Sequence, residues 1–203
     1  MSKYLKWIVF AIIDVLFNII CYITNPFVLL FADEKGNLPK IFKWWENWDD
    51  HLDVEWMISE HHVPKWAEYD FNKHYKYYSE WEALEKTGVF RGFVVILDPN
   101  FTLKERFQRY VCRLVWLYRN CAYGFSYYVT GVNVDGADIK DIKTYAKDGC
   151  MFRVTDYAWV YRYNGKSFIK NHHWKIFLGW KMQGMKSNET GRCMLVFCVN
   201  PWK

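Results

Sequence analysis

The residues best suited to chemistry lie between positions 49 and 62, where carboxylates and imidazoles are interleaved. Divalent metals are held by deprotonated carboxylates and neutral imidazoles that converge on one point. His51, Asp53 and Glu55 are candidate ligands, and with Asp50 they could serve a metal-dependent nuclease or hydrolase. Their spacing matches neither HExxH nor an EF-hand loop. The sequence therefore favours a solvated acidic loop, or pairing with basic residues elsewhere, over a metal site, and no cofactor is expected.

Sequence motifs for other catalytic chemistries are absent from the chain. It contains no nucleophile elbow, no GxGxxG, no P-loop and no Cys/His zinc spacing. The 6 cysteines include no CxxC pair, which favours free thiols in a reducing compartment over a disulfide framework. The sequence therefore favours a protein without enzymatic activity, although it does not decide the question.

A cluster of arginines follows one predicted amphipathic helix. The capping box at residues 102–105 predicts the start of this helix, which runs to about Arg119. Arg106, Arg109 and Arg113 recur on one of its faces, and Arg119 lies nearby. These guanidinium groups could bind anionic groups such as lipid or nucleic-acid phosphates. They could equally form internal ion pairs with the carboxylates of residues 49–60, which is the favoured interpretation.

The element that organises the chain is an apolar stretch from Tyr4 to Phe31. At 1.5 Å per residue, a helix over residues 4–23 would cover the roughly 30 Å hydrocarbon core of a bilayer. Pro26 cannot donate a hydrogen bond, and it biases Asn25 away from helical geometry. The sequence therefore predicts a transmembrane or membrane-associated helix over about residues 4–24, a break at Thr24-Asn25-Pro26, and a short apolar piece over residues 27–31 that lies at an interface or against the domain.

One side of this helix carries nearly all of its polar atoms. The stripe recurs at steps of three and four residues: Trp7, Ala11, Asp14, Asn18, Cys21 and Asn25. A carboxylate at mid-bilayer costs at least about 2.5 kcal/mol, so Asp14 should face protein, water or another copy of the helix. Asp14, Asn18, Cys21 and Asn25 are the predicted helix–helix contacts, with another protein or a second copy as partner. A helix buried in a soluble fold is the alternative.

Aromatic residues make up 21% of the chain, which excludes disorder. Trp44, Trp45 and Trp48 lie among lysines just after the apolar stretch. Because tryptophan prefers the membrane–water boundary, these three are predicted interfacial aromatics, with large side chains covering a small core as the alternative. The net charge of +5 is compatible with membrane lipid as a partner, and nucleic acid is the less favoured one.

The second half of the chain changes to the two-residue period of β-strands. Residues 152–163 alternate, Asn164-Gly165 indicates a hairpin turn, and further strands are predicted over Ser167–Leu178 and Gly191–Val199. The predicted fold class is α+β: an N-terminal apolar helix followed by one domain with an amphipathic helix and an antiparallel β-meander. The expected organisation is an anchor with an interfacial segment over 1–31, and one aromatic-rich domain over 32–203 in which about 60–100 is an insertion.

Several segments resemble a family of small uncharacterised proteins encoded by tailed bacteriophages. The matching segments are the N-terminal apolar stretch, Leu30–Lys40 (LFADEKGNLPK), Leu52-Asp53, Arg106–Phe125 and Gly179-Trp180-Lys181. The stretch of about 60–100 is longer than is usual for the family, and Cys121 stands where a proline often follows the Arg-Asn pair. The resemblance implies a phage origin and a bacterial host. It implies no mechanism, because the family has no assigned activity.

These observations favour a phage-encoded, membrane-associated accessory protein. It would bind a host membrane surface or membrane protein, as in exclusion of other phages or control of lysis, without catalysis. The expected location is the host inner membrane. The C-terminal domain is expected in the cytoplasm, because free thiols are typical of a reducing compartment. The alternative is a structural component of the phage particle whose apolar helix packs against neighbouring subunits.

Overall fold

The computed structural model describes residues 2–47, 50–89, 91–145, 150–166, 172–182 and 191–200. A long apolar helix is followed by shorter helices and antiparallel sheets, which confirms the predicted α+β class. The helices are α1 (Lys3–Val28), α2 (Trp56–Ser59), α3 (Phe71–His74), α4 (Glu80–Thr87), α5 (Leu103–Arg119) and α6 (Tyr123–Tyr128). The strands are β1 (Tyr75–Tyr78), β2 (Phe93–Ile96), β3 (Val132–Asn133), β4 (Lys140–Tyr145), β5 (Cys150–Val154), β6 (Trp159–Lys166), β7 (His173–Trp180), β8 (Arg192–Cys193) and β9 (Leu195–Asn200).

The chain packs as two compact units that share α1. The sheet unit comprises Met1–Leu16 and Phe125–Lys203, and the helix unit comprises Phe17–Gly124. The first half of α1 therefore belongs to one unit and the second half to the other. The division into an anchor over 1–31 and a single domain over 32–203, with its insertion, stays a prediction, because packing does not report which segments fold cooperatively.

The helix unit is built around α5. Its predicted capping box is present: the Thr102 hydroxyl accepts from the Glu105 amide at 3.2 Å, and the Glu105 carboxylate accepts from the Thr102 amide at 2.8 Å. The buried side of α5 places Trp116 and Leu117 in a hydrophobic core that also takes Val28 and Leu29 from the end of the apolar stretch. Strands β1 and β2 pair antiparallel beside it.

The sheet unit contains a five-stranded antiparallel sheet in the order β4-β5-β6-β7-β9, and a small second sheet formed by β3 and β8. Ala11 of α1 joins its core. Trp180 is completely buried, and its indole donates to the Thr130 carbonyl at 3.0 Å. Gly179 adopts a left-handed conformation with φ of 103°, and a Cβ there would lie 2.2 Å from the Trp159 carbonyl oxygen. Only glycine fits at this position in β7.

The predicted break at Pro26 is wrong, because α1 continues through the proline to Val28 and then tightens into a 3₁₀ turn over Leu29–Phe31. A helical proline leaves the carbonyl four residues earlier without its amide partner. Here that carbonyl belongs to Tyr22, and it accepts a hydrogen bond from the Tyr118 hydroxyl at 3.2 Å. The Tyr110 hydroxyl donates to the Pro26 carbonyl at 2.9 Å. Two tyrosines of α5 therefore satisfy backbone groups around the proline.

The predicted hairpin exists, but its turn is not at Asn164-Gly165. Both residues lie within β6, paired with Lys175 and Trp174 of β7, and the pairing continues to Lys166 and His173. The connection falls in residues 167–172, of which 167–171 lie outside the described residues. The tyrosine- and tryptophan-rich flanks extend the ladder past the glycine, since aromatic residues favour the pleated sheet. Strand β4 was not predicted at all.

Candidate functional site

One side of α1 exposes a continuous series of apolar side chains. Between Tyr4 and Phe31 every exposed side chain is apolar or aromatic. At 100° per residue, the exposed positions of α1 occupy an arc of about 180°. We call this surface the apolar face, and its residues are Tyr4, Leu5, Ile8, Val9, Ile12, Ile13, Val15, Leu16, Ile19, Ile20, Tyr22, Ile23, Phe27, Leu30 and Phe31.

The segment Lys3–Phe31 is long and apolar enough to cross a membrane, and it is the one such segment among the described residues. A buried helix of a soluble protein, or a signal sequence, would meet the same criteria. The half-exposed surface of α1 separates it from a fully buried core helix, because buried helices are covered on all sides. Exposed apolar surfaces of this extent mark sites of protein or membrane interaction.

In the sheet unit, the opposite side of α1 packs against the chain itself. Asp14 is 7% exposed. Its carboxylate accepts from the Ser126 hydroxyl at 2.6 Å and from the Thr130 hydroxyl at 3.3 Å. Ser126 belongs to α6, so this predicted contact residue meets a second helix of the same chain.

The rest of the polar stripe packs within the helix unit. The Cys121 thiol donates to the Asn18 carbonyl at 3.6 Å, and the Asn25 amide donates to the Cys121 sulfur at 3.8 Å. Cys21 and Asn25 are almost fully buried. The four predicted contact residues therefore lie on the side of α1 that the protein covers, and the apolar face lies on the other.

The predicted interfacial aromatics differ in their environment. Trp44 is partly exposed and packs edge-on against Phe17, with ring centroids 5.8 Å apart. Trp45 is half-buried, and its indole donates to the Thr24 hydroxyl at 2.8 Å. Trp48 lies outside the described residues. Ile41, which the sequence did not single out, is 78% exposed.

Arg113 forms a buried ion pair with Asp53. Its guanidinium donates to both carboxylate oxygens, at 2.7 and 2.5 Å, and also to the backbone carbonyl of Asp33 at 3.3 Å. Both side chains are nearly inaccessible to solvent. Gly36 packs closely over the pair, since a Cβ there would lie 2.9 Å from Asp53 Oδ2.

The electrostatics of this cluster follow from burial and pairing. Burial opposes ionisation of Asp53, but the charge and hydrogen bonds of Arg113 outweigh it and hold the Asp53 pKa below its usual value. Burial also lowers the pKa of His51, which favours the neutral imidazole. In keeping with that form, His51 Nδ1 accepts the Asp53 amide at 3.0 Å.

The other arginines of α5 are arranged differently. Arg109 donates to the Tyr75 hydroxyl at 2.8 Å and stacks over the Phe101 ring at 4.2 Å. Arg119 contacts His62 at 3.2 Å and lies 5.3 Å from the centre of the Trp56 ring. With Arg106, Arg109 lines a pocket of about 270 Å³ whose lining also includes Glu34. The four arginines thus do not form one anion site.

The candidate metal ligands are engaged in other contacts. Asp53 pairs with Arg113, His51 accepts the Asp53 amide, and Glu55 accepts from the Asn72 side chain at 3.2 Å. Within the described ranges, no group of three or more His, Cys, Asp or Glu side chains could hold a metal ion. The acidic segment contributes to the internal hydrogen-bond network of the helix unit.

The model of the family of unknown function DUF7338 matches residues 1–203. The chain belongs to DUF7338. No curated protein and no solved structure matches it. The family match covers every element described above and carries no information about activity or about phage origin.

In this DUF7338 protein the segments that carried the resemblance meet in two places. Leu30–Lys40, Leu52-Asp53 and α5 come together at the Arg113–Asp53 pair, while Gly179 and Trp180 anchor β7 in the sheet unit. Sequence reasoning missed the two tyrosines that support Pro26. Their signal was present, because Tyr110 and Tyr118 both lie on the apolar side of an amphipathic helix.

Proposed function

We propose that this DUF7338 protein is a phage-encoded, membrane-associated accessory protein that acts by binding at the host inner membrane, without catalysis. The observation that carries the proposal is the apolar face, which is half the circumference of α1 and contains no exposed polar or charged side chain. Water contact with such a surface is unfavourable, at roughly 25 cal/mol per Å² of apolar area. The phage origin rests on the resemblance of Leu30–Lys40 and Arg106–Phe125.

Aromatic and basic residues within and near the apolar face support binding to a membrane surface. Tyr4 and Trp44 are amphipathic rings of the kind found at membrane boundaries. Lys3 and Lys6 lie at the start of α1, and Lys40 lies in the segment after the apolar stretch. The free thiols support a cytoplasmic location for the folded part of the chain.

The absence of catalysis is supported by the chemistry of the acidic segment. Nδ1 of His51 and both carboxylate oxygens of Asp53, which would be ligands or bases, are hydrogen-bonded within the fold. Recruiting them would leave the Arg113 charge buried without its partner, which is strongly unfavourable.

Cell fractionation with point variants tests the proposal. Deleting residues 1–31 would remove Ala11, Val28 and Leu29 from the two cores, so substitutions on the exposed face are the cleaner perturbation. We expect the wild-type protein in the membrane fraction and the Ile12→Asp/Ile19→Asp double variant in the soluble fraction. Leu103→Asp is the matched control, because Leu103 is 85% exposed on α5 and is not one of the residues of the apolar face.

Two outcomes would contradict membrane association through this face. One is a wild-type protein that stays soluble, and the other is a double variant that pellets as fully as the wild type. The same apolar face could instead be covered by neighbouring subunits of a phage particle. That second function predicts the protein in purified particles by mass spectrometry, and its absence there would remove the alternative.

A further inference from the structure

Helix α1 is integrated into the folded chain along its whole length. In the sheet unit, Trp7 packs edge-on against Trp159, with ring centroids 5.1 Å apart, and Asp14 bonds to Ser126. In the helix unit, Thr24 bonds to Trp45 and the Pro26 carbonyl bonds to Tyr110. Neither half of the helix is a free extension of the chain.

These contacts bear on how the helix can meet a bilayer. Strand β9 is the last strand in the order of the described five-stranded sheet, and its Phe197 lies 6.0 Å from the Trp7 ring. A helix that crossed the bilayer would carry this strand into the hydrocarbon. An open sheet edge is not tolerated there, because its amide and carbonyl groups would find no hydrogen-bond partners.

The contacts of the second half of α1 also argue against a helix that crosses the bilayer. The tyrosines that bond to its carbonyls project from α5, which also carries Arg106 and Arg119 as exposed side chains. If residues near Pro26 were deep in a bilayer, these charges would be drawn towards it, and charged groups in the hydrocarbon are costly.

We infer that α1 does not cross the membrane but lies parallel to its surface, with the apolar face immersed in one leaflet. The inference rests on the proposed membrane association, and its partner is the acyl-chain region of a leaflet that contains anionic phospholipid. An interfacial helix needs a wide apolar face and a polar opposite face. A single partner helix would cover a narrower stripe than an arc of about 180°.

The apolar face extends from the helix onto the neighbouring strand. Phe197 is 54% exposed, and Val199 on the same side of β9 is exposed as well. Between Phe197 and α1 lies a groove of about 440 Å³ lined only by apolar side chains, among them Ile8, Ile12 and Leu16. A lipid tail fits this chemistry. The immersed surface therefore includes a part of the sheet unit, which a transmembrane helix would not require.

Basic side chains are placed to meet lipid headgroups. The Lys6 ammonium lies over the Phe10 ring at 5.5 Å, whereas the Lys3 ammonium donates to the Thr155 carbonyl at 2.7 Å and is held at the sheet unit. Lys40 is exposed next to Ile41. Long basic side chains reach from an apolar surface to the headgroup region, and each one near an anionic leaflet favours binding.

The first experiment compares aspartate substitutions at three points along one line of the apolar face. Leu5, Ile12 and Ile23 fall within about 20° of one another around the helix axis, and they are similarly exposed. The purified full chain is titrated with vesicles of phosphatidylethanolamine and phosphatidylglycerol. A helix in the membrane plane predicts a similar loss of affinity, at least about tenfold, for Leu5→Asp, Ile12→Asp and Ile23→Asp.

A crossing helix predicts a different pattern in the same titration. The loss would be large for Ile12→Asp near the bilayer centre and small for the two end positions, since the cost of a charge depends on depth. That pattern would overturn the inference while leaving membrane association intact. No loss for any of the three variants, with Leu103→Asp as the reference, would overturn both. Circular dichroism of each variant confirms that the fold is retained.

The second experiment determines the sidedness of the chain in bacterial cells. The full-length protein carries one epitope tag before Met1 and a different one after Lys203. An in-plane helix places both tags on the same side, so protease added to spheroplasts or to inverted vesicles cleaves both or neither. Cleavage of one tag in spheroplasts and of the other in inverted vesicles would establish a crossing helix and overturn the inference. A protein absent from the membrane fraction would instead contradict the proposed function.

Discussion

The buried pair of Arg113 and Asp53 shows how much the helix unit depends on single residues. Each partner compensates for the lost hydration of the other. Removal of one partner leaves an uncompensated charge in the core, whereas removal of both does not. The pair therefore specifies how Leu30–Lys40 and α5 are joined, whatever its net contribution to stability.

A double-mutant cycle tests this view of the pair. Asp53→Leu should lower the free energy of unfolding by about 3–5 kcal/mol, and Arg113→Met should cost a similar amount. The double variant should be more stable than either single variant, as measured by urea denaturation in mild detergent. Arg119→Ala is the control, because Arg119 is exposed and should cost less than about 1 kcal/mol. Simple additivity of the two single effects would contradict the proposed coupling.

The lowered pKa of His51 predicts a pH dependence of stability. Below the ordinary histidine pKa of about 6.5, the unfolded chain binds a proton that the folded chain does not bind. Unfolding is then favoured by up to about 1.4 kcal/mol per pH unit until the folded-state pKa is reached. The Asp53 contribution is lost only at lower pH, below about 3.9, because its folded-state pKa is also lowered.

Urea denaturation between pH 7 and pH 5 measures the histidine effect. His51→Asn keeps an acceptor for the Asp53 amide but cannot titrate, so we expect a flatter profile in this range. His173→Asn, at an exposed position in β7, controls for the replacement of a histidine by asparagine outside the Arg113–Asp53 cluster. Equal slopes for wild type and His51→Asn would show that another group titrates.

At the scale of elements, the continuity of α1 depends on α5. Pro26 removes the amide that would bond to the Tyr22 carbonyl, and the Tyr118 hydroxyl takes its place. Tyr118→Phe should therefore destabilise the protein by about 1 kcal/mol. In a Pro26→Ala background the new amide can bond to Tyr22, and the same substitution should cost less.

Unfolding of the four proteins of this cycle in detergent gives the coupling between positions 26 and 118. We expect a coupling of about 0.5–1 kcal/mol, in the range seen for contacting residues. Tyr157→Phe, an exposed tyrosine of the sheet unit, controls for loss of a hydroxyl. A cost of Tyr118→Phe that is the same in both backgrounds would mean that the tyrosine does not compensate for the proline.

Elements with local signals were predictable from the sequence, and those that depend on distant partners were not. The capping box at Thr102 predicted where α5 begins, and the amphipathic period predicted its end at about Arg119, as observed. The helical status of Pro26 depends on a hydroxyl from a residue 96 positions away from Tyr22. The prediction of a turn at Asn164-Gly165 was wrong because the ladder of strand pairs between β6 and β7 continues past these two residues. Local turn chemistry is a weaker determinant than a continuous ladder of strand pairs.

In the candidate site, too, the features with local signals were predictable and those that depend on distant residues were not. The apolar length of Tyr4–Phe31 and its polar stripe can be read from helical periodicity, because α1 is regular. That the same chain covers this stripe cannot be read from periodicity, since Asp14 and Asn25 meet Ser126 and Cys121 only in the folded protein. Likewise Arg113 and Asp53, 60 positions apart, have the right charges in the sequence, but their pairing requires the packing of α5.

At the scale of the whole molecule, the apolar face and the basic side chains should contribute to membrane binding in separable ways. Apolar immersion does not depend on ionic strength, whereas attraction between lysines and anionic lipid is screened over about 10 Å at 0.1 M salt and about 3 Å at 1 M. Vesicle titrations of the full chain should therefore lose affinity as salt rises with phosphatidylglycerol present, and stay nearly constant with phosphatidylcholine alone. At 1 M salt the two affinities should converge on a common value above zero, which is the contribution of the apolar face. Complete release by salt would mean that electrostatic attraction alone holds the protein at the surface, and Ile12→Asp would then bind as well as wild type at low salt.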